Sequence, residues 1–282
     1  MEWTTVEQSL ETMQPVEGGF SRAHRGIVTL PDGVTVFVKM AADTQTSKWI
    51  EVEKSAYHWL ERAGYRHAPR LLTEGSDGFA LADLSRCDWG HTWDDAKVSA
   101  MLKALDDLAA LSTEDSGFMQ NEFPKNLWHS LPNESTEYRA FLDIPTLQQV
   151  ERLLNNESQR KSYATLAGDD PWRGQQLVHY DARADNFAYD RASGMGYLVD
   201  WDWIGLGNAA FDRTGLLVNV QLAGFDVLDK YGDRLDKASL AWLMGFWLKE
   251  ALGVRDTDSL KQLRTRQAIN ALAAHKLLQR MS

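Results

Sequence analysis

At 282 residues and 44% hydrophobic composition the chain can bury one large core or two modest ones, and no segment approaches the unbroken apolar run of a membrane span. A formal net charge of −10 excludes a general nucleic-acid binder, because phosphate contacts need a basic face; it fits either plain solubility or a cationic substrate. Cys87 is the only cysteine and the first residues lack a basic stretch followed by an apolar one, so the expectation is a cytoplasmic protein without an intramolecular disulfide or secretory signal.

The first third reads as strands around one helix. Arg25–Leu30 and Val34–Met40 are β-forming runs separated by Pro31-Asp32-Gly33, a hairpin turn. A helix is predicted over Ser47–Arg62, with short strands near Arg70–Thr73 and Gly78–Leu84. Beyond a hinge near Asp83–Cys87, Val98, Met101, Leu102, Leu105 and Leu108 recur at helical spacing and predict an amphipathic helix over Asp94–Leu111. Ser112–Pro145 reads as loops and turns, and Thr146–Asn155 as a helix. Short strands near Gln176–His179, Phe187–Tyr189 and Tyr197–Asp200 interrupt helical surroundings. From Asp212 onward the pattern is helical, clearest over Ser239–Leu252 and Ser259–Gln279 with Gly253 between them. The expected domains are a strand-rich 1–84 that binds nucleotide and a mainly helical 85–282 that carries the catalytic loop and the acceptor site, with a cleft between.

The most informative stretch is Leu177 to Asn186, which contains His179-x-Asp181-x-x-x-x-Asn186, followed after a strand-turn-strand by Val199-Asp200-Trp201-Asp202. Phosphoryl transfer from a nucleotide needs a carboxylate to orient the attacking hydroxyl and accept its proton, and oxygen ligands to hold Mg²⁺ against the phosphates. Asp181 suits the first task. Asn186 and Asp200 suit the second, because a hairpin over Phe187–Val199 folds Asp200 back beside the loop. His179 reads as a scaffold residue that fixes the loop through backbone hydrogen bonds. Two other readings of the same residues are a capped surface turn and a metal-dependent hydrolase with His179, Asp181 and Asp200 as ligands; the second would want further histidines nearby.

With its surroundings, this pattern resembles the aminoglycoside phosphotransferase and related small-molecule kinase family, which includes choline, macrolide and homoserine kinases. His179, Asp181 and Asn186 match the family's catalytic loop and Asp200-Trp201 its metal-binding segment. Gly207-Asn208-Ala209-Ala210-Phe211-Asp212 resembles the stretch that follows, in which Asp212 buttresses the loop. The resemblance implies an α+β, bilobal, protein-kinase-like fold with a small β-rich N-lobe and a larger helical C-lobe. It also implies Mg²⁺ as cofactor, ATP or GTP as donor, and a small-molecule acceptor such as an aminoglycoside, another antibiotic, an amino sugar or an amino alcohol.

A kinase site also needs a strand lysine to neutralise phosphate, paired with a glutamate of the next helix. Lys39 ends the run Thr35–Met40. At about 100° per residue, Glu53 shares a helix face with Ala56, Tyr57 and Leu60, whereas Glu51 falls opposite with Lys54, His58 and Arg62; Glu53 is therefore the inward carboxylate. Glu17-Gly18-Gly19-Phe20-Ser21-Arg22 reads equally as a phosphate-approaching turn, using Gly18, Gly19 and Ser21, or as a plain hairpin turn. Backbone near Ala82–Ser85 is expected to meet the adenine.

For the acceptor, Asp202 and Trp203 are the nearest candidates, with Asp226, Asp229 and Asp233 also available to a cation and Trp201, Trp242 and Trp247 as further aromatics. Arg255 to Ser282, by contrast, carries Arg255, Lys261, Arg264, Arg266, Lys276 and Arg280 against Asp256 and Asp258, unlike the acidic rim of aminoglycoside kinases. The alternative function is a catalytically inactive, nucleotide-binding regulator on the same scaffold. A protein kinase is disfavoured, because only a dozen residues separate Asp200 from Asp212 and leave no peptide-docking segment. The residues do not decide between a resistance and a metabolic role, nor the oligomeric state; no nucleic-acid or membrane partner is expected.

Overall fold

The computed structural model describes residues 1–16, 21–90, 92–114, 116–131, 142–253 and 258–281. The chain forms two compact units, Met1–Met119 with Gln176–Leu206, and Gln120–Gln175 with Gly207–Ser282. The expected lobe boundary at 84/85 falls inside the first unit.

The first unit opens with α1 (Trp3–Gln8) and β1 (Gln14–Pro15), then β2 (His24–Thr29) and β3 (Thr35–Met40), which pair antiparallel in the register Arg25 to Lys39 and Gly26 to Val38. The turn between them closes through Leu30 N–H to Val34 O at 2.8 Å, and Gly33 takes φ +84°, a conformation that a side chain would oppose. After α2 (Thr44–Arg62) come β4 (Leu71–Glu74) and β5 (Gly78–Ala82), completing a five-stranded sheet of order β1-β2-β3-β5-β4. Side chains alternate along β3. Val36 and Val38 join Val6, Val28, Leu30 and Ala80 in one apolar cluster, which sends Phe37 and Lys39 to the opposite face.

Helix α2 starts at a capping box, in which Asp43 accepts from Thr46 N–H at 2.8 Å and Thr46 Oγ1 accepts from Asp43 N–H at 2.9 Å. It buries Thr46, Ile50, Glu53, Ala56, Tyr57 and Leu60, the stripe that a 3.6-residue period requires. Next are β6 (Asp88–Trp89) and α3 (Asp95–Ala109); the latter is capped by Asp94, which accepts from Lys97 N–H at 2.9 Å.

After an excursion into the second unit the chain returns as β7 (Gln176–Val178), then the hairpin β8 (Phe187–Asp190) and β9 (Met195–Leu198), which pairs with β6 in a three-stranded sheet, and finally β10 (Gly205–Gly207). The third strand ends at Leu198, before the predicted Asp200, because Asp200 itself adopts φ +69°, incompatible with a ladder.

The second unit is mainly helical: α4 (Ile144–Asn155), α5 (Glu157–Ala167), α6 (Ala209–Leu222), α7 (Leu228–Tyr231), α8 (Lys237–Leu252) and α9 (Asp258–Arg280). Helix α5 escaped prediction because its sequence is polar; Asn156 caps it by accepting from Gln159 N–H at 3.0 Å. Trp128, Trp172, Trp242, Leu240, Met244, Leu248 and Leu277 fill its core. The Trp128 indole donates to Ala241 O at 2.7 Å, and a Cβ at Gly245 would lie 2.7 Å from the same ring nitrogen, so only glycine admits the tryptophan there. Among the described residues no helix is long and apolar enough to cross a membrane.

Candidate active site

Three segments of the first unit meet around Lys39. Strand β3 delivers the lysine on the face opposite its apolar cluster. One helical turn before Tyr57, α2 presents Glu53, 1% exposed, whose Oε1 pairs with Lys39 Nζ. The turn after β9 brings Asp200 Oδ1 to 2.7 Å from the same nitrogen. Glu51, on the other face of α2, is exposed and pairs with Lys54 at 2.6 Å. Lys54 is nonetheless buried, because its stem lies along the unit while its ammonium donates to Gly75 O at 2.9 Å.

The loop after β7 is tied down by its own polar groups. His179 is fully buried; its Nε2–H donates to Val199 O at 3.0 Å and its Nδ1 accepts from Asp181 N–H at 3.3 Å, which sets a neutral tautomer. Its ring lies against Trp201 at 4.5 Å. Tyr180 takes φ +63°, a sparsely populated conformation for a residue with a Cβ, held by its hydroxyl donating to Leu206 O at 2.7 Å. Asn186 Nδ2 donates to both the backbone oxygen and Oδ2 of Asp181, at 2.9 Å each. Its carbonyl accepts from Val199 N–H at 3.1 Å, which joins the loop to the segment carrying Asp200.

The sequence matches a family model described as "Phosphotransferase enzyme family" over residues 12–247. The chain belongs to this family. No curated protein sequence matches it. Among solved structures, the phosphotransferase is similar to an aminoglycoside phosphotransferase from Alicyclobacillus acidocaldarius, with a TM-score of 0.60, 12% identity and coverage of 99% of this chain and 94% of that one. A choline kinase from Streptococcus pneumoniae matches with a TM-score of 0.53 at 13% identity, covering 95% and 96%. An amicoumacin kinase solved with AMP-PNP and Ca²⁺ matches with a TM-score of 0.51 at 12% identity, covering 97% and 93%. The shared architecture is α+β, with an N-terminal antiparallel sheet and a mainly helical C-terminal region. The chain is a small-molecule phosphotransferase of this family.

The electrostatics of the phosphotransferase site are those of a place short of positive charge. Lys39 and Arg183 stand against Glu53, Asp181, Asp185, Asp200 and Asp202. Burial opposes the charge on Lys39, but Glu53 and Asp200 outweigh it and raise its pKa above the ordinary lysine range. Asp200 is also desolvated, yet Lys39 beside it and a hydrogen bond from Glu53 bring it down to about 2. Glu53 is pushed up to about 8 by burial, which the attraction of Lys39 only partly offsets, with Asp200 adding repulsion. Burial likewise lifts Asp181 to about 6 against the pull of Arg183, and Asp202 to about 7, with Asp200 repelling it. His179 is pushed down to about 4 by its burial.

Carboxylate oxygens of Glu53, Asp200 and Asp202 lie within 4.8 Å of one another, and Asp202 Oδ1 is buried without a hydrogen-bond partner. An all-oxygen set with surplus negative charge fits a hard divalent cation.

Of the remaining expected residues, Gly18 and Gly19 lie outside the described residues. Ser21 is held by Arg25, whose Nη2 donates to Ser21 O at 2.7 Å and Oγ at 3.0 Å. In the segment expected to meet the adenine, Asp83 accepts from Thr35 Oγ1 at 2.7 Å and from Ser85 N–H at 2.7 Å. Trp203 is half exposed, whereas Trp201 and Trp242 are core residues. Asp212 is buried on the first turn of α6, in the second unit. Asp226 pairs there with Arg280 at 2.7 Å, and Arg264 is buried against Glu250 at 2.6 Å, so two of the C-terminal cations are already neutralised.

Two residues of the site had not been singled out. Tyr57, one turn beyond Glu53, is buried, and the charges of Glu53 and Asp200 join its desolvation in raising the pKa of its hydroxyl. Arg183 forms an ion pair with Asp181 at 2.8 Å. The i, i+4 relation to Glu53 was a usable signal for the first; an arginine between two aspartates in a loop was an ambiguous one for the second.

Proposed function

We propose that this phosphotransferase moves the γ-phosphoryl group of ATP or GTP to a hydroxyl of a small molecule in the cytoplasm, residues 1–84 serving the nucleotide and 85–282 the catalytic loop and acceptor. The observation that carries the reading is the contact of Lys39 with Asp200 at 2.7 Å, in the same unit as an Asp181 held by Asn186 at 2.9 Å. Lys39, braced by Glu53, neutralises phosphate oxygens, and Gly18, Gly19 and Ser21 are its partners in binding the nucleotide. Asn186, whose amide nitrogen is committed to Asp181, offers its Oδ1 and Asp200 its carboxylate to Mg²⁺. When bound, the ion supplies the positive charge that the clustered carboxylates lack and that the polyphosphate requires. Asp181 orients the acceptor hydroxyl and takes its proton while that oxygen bonds to the γ-phosphorus and the bond to the nucleoside diphosphate breaks. His179 holds the loop in shape, and Asp212 is a supporting residue.

Asp202 and Trp203 are the acceptor-side residues, offering a carboxylate and a half-exposed indole to a cationic or sugar-like molecule. Structural likeness to kinases named for choline, aminoglycosides and amicoumacin supports an aminated alcohol, in a resistance or a metabolic role. The test is nucleoside diphosphate release from ATP and GTP across aminoglycosides, macrolides, amino sugars, choline and homoserine. Asp181→Ala is expected to lower kcat by about 10²- to 10⁴-fold while Mg·AMP-PNP still binds. Full activity in that variant refutes the assignment of the base. Nucleotide binding without turnover of any acceptor favours the inactive regulator instead.

A further inference from the structure

The catalytic loop contains a cation that the mechanism above leaves unused. Arg183 is three-quarters buried, and its Nε lies 2.8 Å from Asp181 Oδ1 and 3.7 Å from Asp185 Oδ1. Desolvation opposes its charge, but Asp181, Asp185, Asp200 and Asp202 outweigh it, so the guanidinium is held charged. Its backbone belongs to the same knot. Arg183 N–H donates to Asp181 O at 2.8 Å, and Arg183 O accepts from Asn186 N–H at 2.9 Å.

The two oxygens of Asp181 therefore face different groups: Oδ1 lies against the Arg183 guanidinium, an ion contact at 2.8 Å whose Nε–H is not aligned on it as a hydrogen bond, and Oδ2 accepts from Asn186 at 2.9 Å. A carboxylate anchored through one oxygen still turns about its terminal torsion, which is broad. A hydrogen bond on one oxygen and a fixed positive charge beside the other favour a single plane, with lone pairs left on both oxygens to meet an incoming hydroxyl. We infer that Arg183 is the positioning residue of this enzyme, fixing the plane of the Asp181 carboxylate so that one oxygen faces the attacking hydroxyl. This inference rests on the reading of Asp181 as the base. It makes Arg183 a residue that acts through Asp181 rather than on the nucleotide, the task for which Lys39 is placed. Asp185, at the longer distance, keeps the guanidinium from turning away.

The test is a double-mutant cycle in the full chain with Mg·ATP and water as the acceptor, read as ADP release. In that reaction the water oxygen bonds to the γ-phosphorus, the bond to ADP breaks, and the water's proton passes to Asp181. Arg183→Gln is expected to lower kcat about 10- to 100-fold, the scale on which misplacing a reacting group acts. KM for ATP and Mg·AMP-PNP affinity by calorimetry should change less than about twofold, as fits a loss confined to the transition state. In the Asp181→Asn background the same substitution should cost nothing further. Arg183→Lys keeps the charge without the planar fork, and should lose about tenfold in kcat with the same dependence on Asp181. It also carries the cycle if Arg183→Gln fails to fold.

Equal losses with and without the Asp181 carboxylate overturn the inference, as does a raised KM for ATP at unchanged kcat, lost Mg·AMP-PNP binding, or full activity of Arg183→Lys. If Asp181→Asn leaves ADP release unaltered, the proposed function falls and this inference with it. If Asp181→Asn is slow and Arg183→Gln acts additively, only the inference falls.

Discussion

Replacing Asp202 by Asn should stabilise the metal-free protein, and the gain should grow with pH. Asp202 is half-buried beside Asp200, and its pKa stands at about 7 against an ordinary 3.8. Because the folded-state value is the higher one, ionisation costs folding energy: nothing below pH 3.8, increasing amounts from there to pH 7, and a constant amount above. At about 1.4 kcal/mol per pKa unit the plateau is about 4 kcal/mol, and partial exposure to solvent brings it to about 2 kcal/mol. At pH 5 the folded carboxyl is protonated and only the unfolded one is ionised, so the same reasoning leaves less than about 1 kcal/mol. Asn keeps the shape and removes the charge. Thermal unfolding in EDTA at pH 5, 6.5 and 8 measures the effect, which at pH 8 should be a rise of about 4–8 °C in Tm. A variant no more stable than the parent at pH 8, or equally stabilised at every pH, would refute the account of Asp202 as an uncompensated carboxylate. The expected cost is functional, a higher KM for the acceptor, as for other sites where charge is concentrated for binding at the expense of stability.

Lys39→Met should raise KM for ATP and lower kcat at least about 100-fold, and should let Asp200 lose the depression to about 2 that the ammonium maintains. It should also destabilise the protein by about 3 kcal/mol at pH 7, because a buried ion pair is broken on one side only; an unchanged unfolding midpoint would contradict this. His179→Ala removes a fully buried ring and leaves Val199 O without its donor, for a loss of about 2–4 kcal/mol seen in chemical unfolding. Gly245→Ala should cost about 1–3 kcal/mol by forcing Trp128 away from α8, with Mg·AMP-PNP affinity unaltered; a neutral effect on Tm would show that the indole has room to move.

What could be read from the sequence is what depends on neighbours along the chain. Pro31-Asp32-Gly33 announces its hairpin because the turn needs a positive φ at Gly33. The 3.6-residue stripe of α2 separates Glu53 from Glu51 because helix geometry alone decides which residues share a face. The spacing from His179 to Asn186 is informative because the loop bonds to itself, through His179 to Asp181 N–H and Asn186 to Asp181.

What only the tertiary structure decided is which charges meet across long stretches of chain. Lys39 and Asp200 stand 161 positions apart, and no local pattern states that they touch. Lys97, on the first turn of α3, is buried, which is explained by Asp88 at 2.9 Å and the ring of Trp93 at 4.8 Å. The left-handed backbone at Asp200, the partnership of Arg183 with Asp181 and the gathering of Asp202 with Glu53 belong to the same class. Their physical reason is that desolvation and Coulomb energy are properties of a place, and several distant segments must fold before the place exists.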